Sequence, residues 1–231
     1  MAERREGPAN PRPAMTGFRR RLVIMVKDPE AGRVKTRLGR DIDVAAATGF
    51  YRHTLASVTA PLARDPRWQT LLSVAPARAV YSRLLPPGIP RLPQHGGDLG
   101  ARMQAIFDQP GAGPTVIIGT DIPEVRPAHI AAAFRALGNH DAVFGPATDG
   151  GFWLVGLSRT PRVIAAFGAV RWSTSDTLAD CLDGLSGHRI ATVATLRDAD
   201  DAADLKPLRH ILGRRILAAV PDATLKIDIH L

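Results

Sequence analysis

The sequence predicts an α/β protein in which a mostly parallel sheet lies between two layers of helices. Short apolar runs of strand length alternate with segments whose apolar residues recur every three or four positions. At 231 residues, with 45% hydrophobic and 23% charged residues, the chain has the composition of a globular protein and can bury a substantial core in one large domain. In such a layered fold, ligands bind beyond the carboxyl ends of the strands.

The first strand is the clearest element. Residues 22–26 are five consecutive apolar residues, which suits a strand buried on both faces. The apolar spacing over 44–62 predicts an amphipathic helix that covers it, and Asp98 is well placed to cap a helix starting at Leu99. Further strands are predicted at 71–74, 91–93, 114–119, 142–144, 152–157 and 190–193, and further helices at 127–137, after Ser173 and at 202–216.

The positive charge is concentrated at the N-terminus. We expect a disordered basic tail at 1–20, one domain at 21–217 and a C-terminal tail at 218–231. Residues 1–21 hold six Arg against Glu3 and Glu6, so they supply +4 of the net charge of +8. The remaining +4 is unremarkable for a protein that binds phosphates, so nucleic acid is not expected as the main partner.

Several classes of protein are disfavoured. Cys181 is the single cysteine and cannot form an intramolecular disulfide, and no run of about 18 apolar residues offers a membrane span. The N-terminal arginines are not followed by the apolar segment of a secretory signal. We therefore expect a cytoplasmic protein without a membrane span, and leave its assembly open, with a homodimer as one option.

A basic loop follows the first strand. It contains Lys27, Gly32, Lys35, Thr36 and Arg37, which we predict to bind phosphates. Cationic side chains donate strong charge-assisted hydrogen bonds, and a glycine lets the backbone approach a ligand closely. The loop lacks the glycines of the Walker and dinucleotide-binding motifs, and a solvated basic loop is the alternative.

Two aspartates follow strands. Asp121 comes after the strongest strand, and Asp149 precedes Gly150 and Gly151, which leave space for a substrate. Because their strands are predicted as parallel neighbours, we expect both carboxylates to converge on one Mg²⁺ or Mn²⁺. Alternatively Asp149 accepts a proton from an acceptor hydroxyl, or both aspartates are turn or capping residues.

Weaker signals lie elsewhere. Gln94, Asp98 and Arg102 are candidate substrate-binding residues, although Asp98 alone fits a helix cap better. Trp172 and Ser173 are predicted to form the far wall of the cleft, although a tryptophan taken alone is more often core. The aspartates at 198–204 are interpreted as capping the last helix.

Together these motifs resemble one family, the bacterial glycosyltransferase-A-like proteins of unknown function. It belongs to the nucleotide-diphospho-sugar transferase superfamily, near the molybdenum-cofactor and phospholactate guanylyltransferases. The resemblance spans 22–212 and rests on Lys27-x-Pro29-x-x-Gly32-x-Val34-Lys35-Thr36-Arg37-Leu38, Gly97-Asp98-Leu99-Gly100-x-Arg102-Met103, Gly119-Thr120-Asp121-x-Pro123, Gly145-Pro146-Ala147-x-Asp149-Gly150-Gly151, Trp172-Ser173-Thr174 and Asp198-x-Asp200.

The resemblance implies a mixed sheet in a three-layer α/β/α sandwich, a nucleotide over the first loop and a metal at Asp121. It implies a metal-dependent glycosyltransferase that uses a nucleotide sugar and a small-molecule acceptor, with Lys27 and Asp149 as candidate catalytic residues. A nucleotidyltransferase that releases pyrophosphate from a nucleoside triphosphate, and a non-catalytic nucleotide-binding protein, remain alternatives. Phe152 and Trp153 stand where the family often has tyrosines, and Asp201 where it usually has a small hydroxyl residue.

Overall fold

The computed structural model describes residues 18–208. Most of the predicted tail at 1–20, all of the tail at 218–231 and the predicted extension of the last helix to 216 lie outside these residues. Within them, none of the helices combines the length and apolarity that a membrane crossing requires.

Seven strands form one mixed sheet with the order β3-β2-β1-β4-β6-β5-β7. Only β6 runs antiparallel to its neighbours, β4 and β5, so the other six strands share one direction. The predicted fold class is confirmed. The strands are β1 Arg21–Lys27, β2 Gln69–Ala75, β3 Arg91–Pro93, β4 Thr115–Ile118, β5 Ala142–Pro146, β6 Phe152–Leu157 and β7 Ile190–Thr192.

Helices cover both faces of the sheet. They are α1 Thr36–Ile42, α2 Val44–Ala63, α3 Leu99–Phe107, α4 Pro127–Ala136, α5 Thr177–Gly184 and α6 Ala202–Leu208, with a short 3₁₀ helix at Ala77–Tyr81. Helices α2 and α4 pack on one face, and α3 and α5 on the other. A smaller third core joins α1 and α6 to α2.

Strand β1 shows how the sequence specifies these layers. Successive side chains of a strand point to opposite faces, so Leu22 and Ile24 enter the core under α2 while Val23 enters the core under α3. All three are at most 1% exposed. A continuous apolar run is therefore required here, because both faces of the strand are covered.

The helix predictions have one confirmation and one correction. Asp98 caps α3, since its carboxylate accepts a hydrogen bond of 2.8 Å from the Ala101 amide. Thr36 and Arg37, predicted to lie in the basic loop, instead begin helix α1. The loop ends at Lys35, whose backbone adopts the left-handed conformation with φ 48°.

The strand order also corrects the expectation that the strands before Asp121 and Asp149 are neighbours. Strand β6 lies between β4 and β5 and runs antiparallel to both. The two aspartates therefore follow strands that point the same way, but these strand ends are two inter-strand spacings apart, roughly 10 Å.

Candidate functional site

A cavity of about 560 Å³ opens where the loops after β1, β4, β5 and β7 meet. This is the edge at which parallel strands present their carboxyl ends. Most of the predicted site residues line it, namely Lys27, Lys35, Thr36, Arg37, Gln94, Arg102, Asp121, Asp149, Gly151, Trp172 and Ser173. Residues that were not predicted, among them Tyr51, Thr120, Asp198 and Asp200, line it as well.

Three predicted substrate-binding residues lie outside the cavity lining. Asp98 caps α3, and Gly32 forms a left-handed turn with φ 76°. Gly150 has φ 88°, its carbonyl accepts a hydrogen bond from Leu178, and a Cβ there would collide with the backbone of Ser175. These three residues therefore determine the local backbone near the cavity and do not line it.

Lys35 lies at the centre of the charged residues. Its ammonium is 2.7 Å from Asp121 Oδ1 and 2.8 Å from Asp200 Oδ1, and its side chain is only 5% exposed. Burial alone lowers the pKa of Lys35, but the charges of Asp121 and Asp200 and their hydrogen bonds outweigh it, so that the pKa is raised. The lysine is therefore a fixed cation between two carboxylates.

The chain after β7 carries Asp198 and Asp200 into the site. The Leu196 amide donates to Pro146 O at the end of β5, and the Ala199 amide donates to Asp121 O beyond β4. This segment thus crosses the carboxyl ends of both strands. The interpretation of the 198–204 aspartates as helix caps is wrong for these two, because they face the cavity.

The other two aspartates of that cluster do cap helix α6. Asp201 Oδ1 accepts hydrogen bonds from the Ala203 and Asp204 amides, and Asp204 Oδ2 accepts from the Asp200 and Asp201 amides. These caps also hold the backbone of Asp200 in place beside Lys35.

Asp149 and Asp198 form the second acidic part of the cavity. Desolvation by burial, followed by the charges of Asp149 and Asp200, raises the pKa of Asp198 to about 6. One carboxylate oxygen of Asp149 accepts a hydrogen bond of 2.9 Å from the Gly151 amide, as expected for an Asp-Gly turn. The turn and the site interpretation of Asp149 are therefore compatible, since the residue both forms a turn and lines the cavity.

Tyr51, which lies on the buried face of α2, connects two of the site loops. Its hydroxyl accepts a hydrogen bond of 2.9 Å from the Lys27 amide and donates one of 3.1 Å to the Lys27 carbonyl. Thr120 Oγ1 donates to the same hydroxyl at 3.3 Å. The end of β1 is thereby fixed next to the residue before Asp121.

The basic side of the cavity contains Lys27 and Arg102. Neither makes an ion pair within residues 18–208, and Arg102 Nε donates a 2.8 Å hydrogen bond to Gly97 O. Arg37 is 75% exposed and approaches Asp200 only to 3.9 Å. Gln94 Nε2 donates to Ser73 O at 2.8 Å, which leaves its side-chain oxygen as the group it can offer a ligand.

Trp172 lines the cavity as part of an aromatic cluster. Its ring lies 5.8 Å from that of Phe167 and 6.5 Å from that of Phe152, between centroids. A Cβ at Gly100 would lie 2.6 Å from Trp172 Cζ2, so the glycine in α3 is needed for the ring to pack there. The indole is half-buried and lines the cavity rather than lying wholly in the core.

The described residues contain no group of three or more His, Cys, Asp or Glu side chains arranged to hold a metal ion by themselves. Any divalent cation at this site must therefore draw part of its coordination from water or from a bound ligand. That is the usual way in which proteins bind Mg²⁺ together with phosphates.

The sheet order, its single antiparallel strand and the site at its carboxyl edge define a nucleotide-diphospho-sugar transferase fold. The chain belongs to the bacterial family described as "Uncharacterized protein conserved in bacteria (DUF2064)", which it matches over residues 58–174, just over half of its length. No curated protein matches its sequence.

Solved structures agree with this class. A candidate nucleotide-diphospho-sugar transferase from Desulfovibrio desulfuricans G20 is 27% identical and has a TM-score of 0.78, with 90% of this chain and 97% of that chain covered. The manganese complex of Rv0371c from Mycobacterium tuberculosis H37Rv is 19% identical, with a TM-score of 0.51 over 85% of this chain and 99% of that one. The inositol-1-phosphate CTP transferase from T. maritima is 11% identical, with a TM-score of 0.54 and 93% and 98% covered. The last two share the fold alone.

The position of Gly150 leads to a first prediction. Gly150→Ala places a side chain on a left-handed backbone and against Ser175, so it is expected to lower the free energy of unfolding by about 2–4 kcal/mol. Chemical denaturation measures this loss. Gly49→Ala is the matched control, because its Cβ meets no heavy atom within 4 Å and alanine favours the helix. Equal effects of the two substitutions would contradict the structural role of Gly150.

The raised pKa of Asp198 leads to a second prediction, which concerns the dependence of stability on pH. With a folded pKa of about 6 against an ordinary 3.8, the folded protein binds more protons than the unfolded chain between these values, so stability falls as pH rises through this window. Asp198→Asn removes the ionisation. In metal-free buffer, its free energy of unfolding is expected to exceed that of the wild type above about pH 6 and to converge with it below about pH 4.

The control for this titration is Asp183→Asn, which removes an exposed carboxylate on α5. It shows what an Asp-to-Asn substitution outside the cavity does to the free energy of unfolding over the same pH range. A difference between Asp198→Asn and wild type that stays constant from pH 4 to pH 8 would show that Asp198 is not desolvated as described.

Proposed function

We propose that this protein is a metal-dependent glycosyltransferase that transfers a sugar from a nucleotide-sugar donor to a small-molecule acceptor. The observation that carries the proposal is the division of one cavity into two charged sides. The carboxylates of Asp121 and Asp200 both face the Lys35 ammonium. Lys27 and Arg102, which make no ion pair within residues 18–208, line the same cavity. A diphosphate with a bound divalent cation has the complementary charges.

The acidic residues fit a hard divalent cation. Asp121 and Asp200 each direct an oxygen at the point that the Lys35 ammonium occupies, so this point already accommodates positive charge. Carboxylate oxygens are ligands that Mg²⁺ and Mn²⁺ accept, and one or two of them with phosphates and water complete such a site. Asp200 is therefore the better partner of Asp121, in place of the predicted Asp149.

The basic residues fit the phosphates. Lys27 stands at the end of β1 with its backbone held by Tyr51, and Arg102 lies on α3 with Nε held by Gly97 O. Charge-assisted hydrogen bonds from these side chains would bind the diphosphate and stabilise the negative charge that develops on it as it leaves. The divalent cation, when bound, supplies further charge neutralisation of the leaving group.

The acceptor is expected beside Asp149. One oxygen of this carboxylate accepts a hydrogen bond from the Gly151 amide. The other oxygen is free to accept the proton of the acceptor hydroxyl while the hydroxyl oxygen bonds to the anomeric carbon and the bond from that carbon to the diphosphate breaks. Trp172 and Phe152, whose ring centroids lie 6.5 Å apart, add apolar surface to the same cavity. The Desulfovibrio structure, at 27% identity, supports the same class of donor.

Product analysis tests this function and separates it from the alternatives. The protein is incubated with Mn²⁺, a panel of nucleotide sugars or nucleoside triphosphates and a panel of small acceptors that carry hydroxyl groups, and phosphorus NMR follows the products. Release of a nucleoside diphosphate is the expected result. Release of pyrophosphate from a triphosphate would replace it with nucleotidyl transfer, and binding without any product would identify a nucleotide sensor.

The role of Lys27 is tested by binding. Lys27→Ala removes a charge-assisted phosphate contact and is expected to weaken nucleoside diphosphate binding by about 10- to 100-fold, measured by calorimetry. Arg33→Ala removes the same charge from the same loop, but Arg33 pairs with Glu30 at 2.9 Å and does not line the cavity. Similar losses in both variants would mean that the loop acts through its net charge alone.

A further inference from the structure

Lys35 has an unusual place for a residue of a phosphate-binding loop. Its ammonium is turned away from solvent and lies between two carboxylates, whereas Lys27, the last residue of β1, is exposed and unpaired within residues 18–208. Its backbone is left-handed, a conformation that costs a non-glycine residue energy and that the surrounding contacts must enforce. The fold therefore specifies where this ammonium sits.

The point occupied by the ammonium is the one at which Asp121 and Asp200 would hold a divalent cation. An ammonium and a metal ion cannot use the same two oxygens at once, and their like charges repel at such a distance. Binding of a cation to Asp121 Oδ1 and Asp200 Oδ1 and the observed position of Lys35 are therefore mutually exclusive. This step rests on the proposed function in one respect, namely that a divalent cation binds at Asp121.

We propose that Lys35 is a positioning residue that occupies the cation site of the free protein and moves to the donor phosphates when a divalent cation takes its place. Its flexible four-carbon side chain can change direction without movement of the backbone. Thr36, Arg37 and Lys27 line the same cavity, so the phosphates expected there offer the displaced ammonium a new anionic partner.

This exchange couples the two ligands. A cation that binds alone must displace an ammonium and leave it without a carboxylate partner, which is unfavourable. A cation that binds together with a diphosphate provides that partner. Lys35 thus weakens the binding of a free cation and favours the cation–nucleotide pair, and this coupling is reciprocal.

The test measures Mn²⁺ alone, without nucleotide, by calorimetry and by the paramagnetic resonance signal of the free ion. Lys35→Met keeps an unbranched side chain that ends where the lysine Cε lies and removes the charged group, so it should bind Mn²⁺ on the order of tenfold more tightly than the wild type. Arg33→Met removes one charge from the same loop, outside the cation site, and should leave the affinity near that of the wild type. Unchanged or weaker Mn²⁺ binding by Lys35→Met would overturn the proposal.

The melting temperature is a second readout. It is needed because Lys35→Met leaves Asp121 and Asp200 without the ammonium and can therefore destabilise the fold. Mn²⁺ should then raise the melting temperature of Lys35→Met more than that of the wild type, since ligand binding stabilises the folded state. A smaller rise would contradict the exchange. If neither protein binds Mn²⁺ with or without a nucleoside diphosphate, the cation site and the proposed function fail together. If the wild type binds it normally and Lys35→Met no more tightly, only the role of Lys35 fails.

Discussion

The buried contact of Lys35 with Asp121 and Asp200 is the interaction on which the site depends. It joins three separate parts of the chain, namely the loop after β1, the end of β4 and the segment that follows β7. A buried ammonium is stable only when carboxylates compensate for its lost hydration, and the carboxylates in turn need the ammonium or another cation. Each of the three parts therefore fixes the other two, and a site for positive charge is present before any ligand arrives.

The antiparallel strand β6 determines how the charges are distributed. By separating β4 from β5, it moves the Asp149 turn away from Asp121 and leaves a gap at the carboxyl edge of the sheet. The segment after β7 fills that gap and places Asp198 and Asp200 within it. The result is a cavity with two carboxylates around Lys35 near β4 and a separate carboxylate near β5. Under the proposed function, the first group would serve the leaving phosphate and the second the acceptor.

Much of this fold could be predicted, because buried parallel strands are apolar on both faces and their residues stand out as short runs. Helix α1 could not be predicted in this way. It has seven residues, only Leu38 and Ile42 of which are buried, and it starts after a left-handed lysine without a side-chain cap. The order of the strands in the sheet could not be predicted from local sequence patterns either, because an apolar run shows that a segment is a buried strand but not which strands are its neighbours.

Some of the site residues could likewise be predicted from the sequence, and others could not. Lys27 at the end of β1, and Asp121 and Asp149 in the loops after β4 and β5, could be found because the ends of parallel strands meet at one edge. Asp198 and Asp200 could not be separated from the capping residues Asp201 and Asp204 by composition, since only the path of the chain distinguishes them. The one available signal is the spacing Asp198-x-Asp200, which matches the motif of the family.

The most direct test of this account is the position of a bound metal. Crystals grown with Mn²⁺ and a nucleoside diphosphate, measured at the manganese absorption edge, would locate the ion by its anomalous scattering. The account predicts one peak bonded to oxygens of Asp121 and Asp200 at about 2.2 Å, with the diphosphate between the ion and Lys27. A manganese ion bound elsewhere, or a diphosphate outside this cavity, would contradict it.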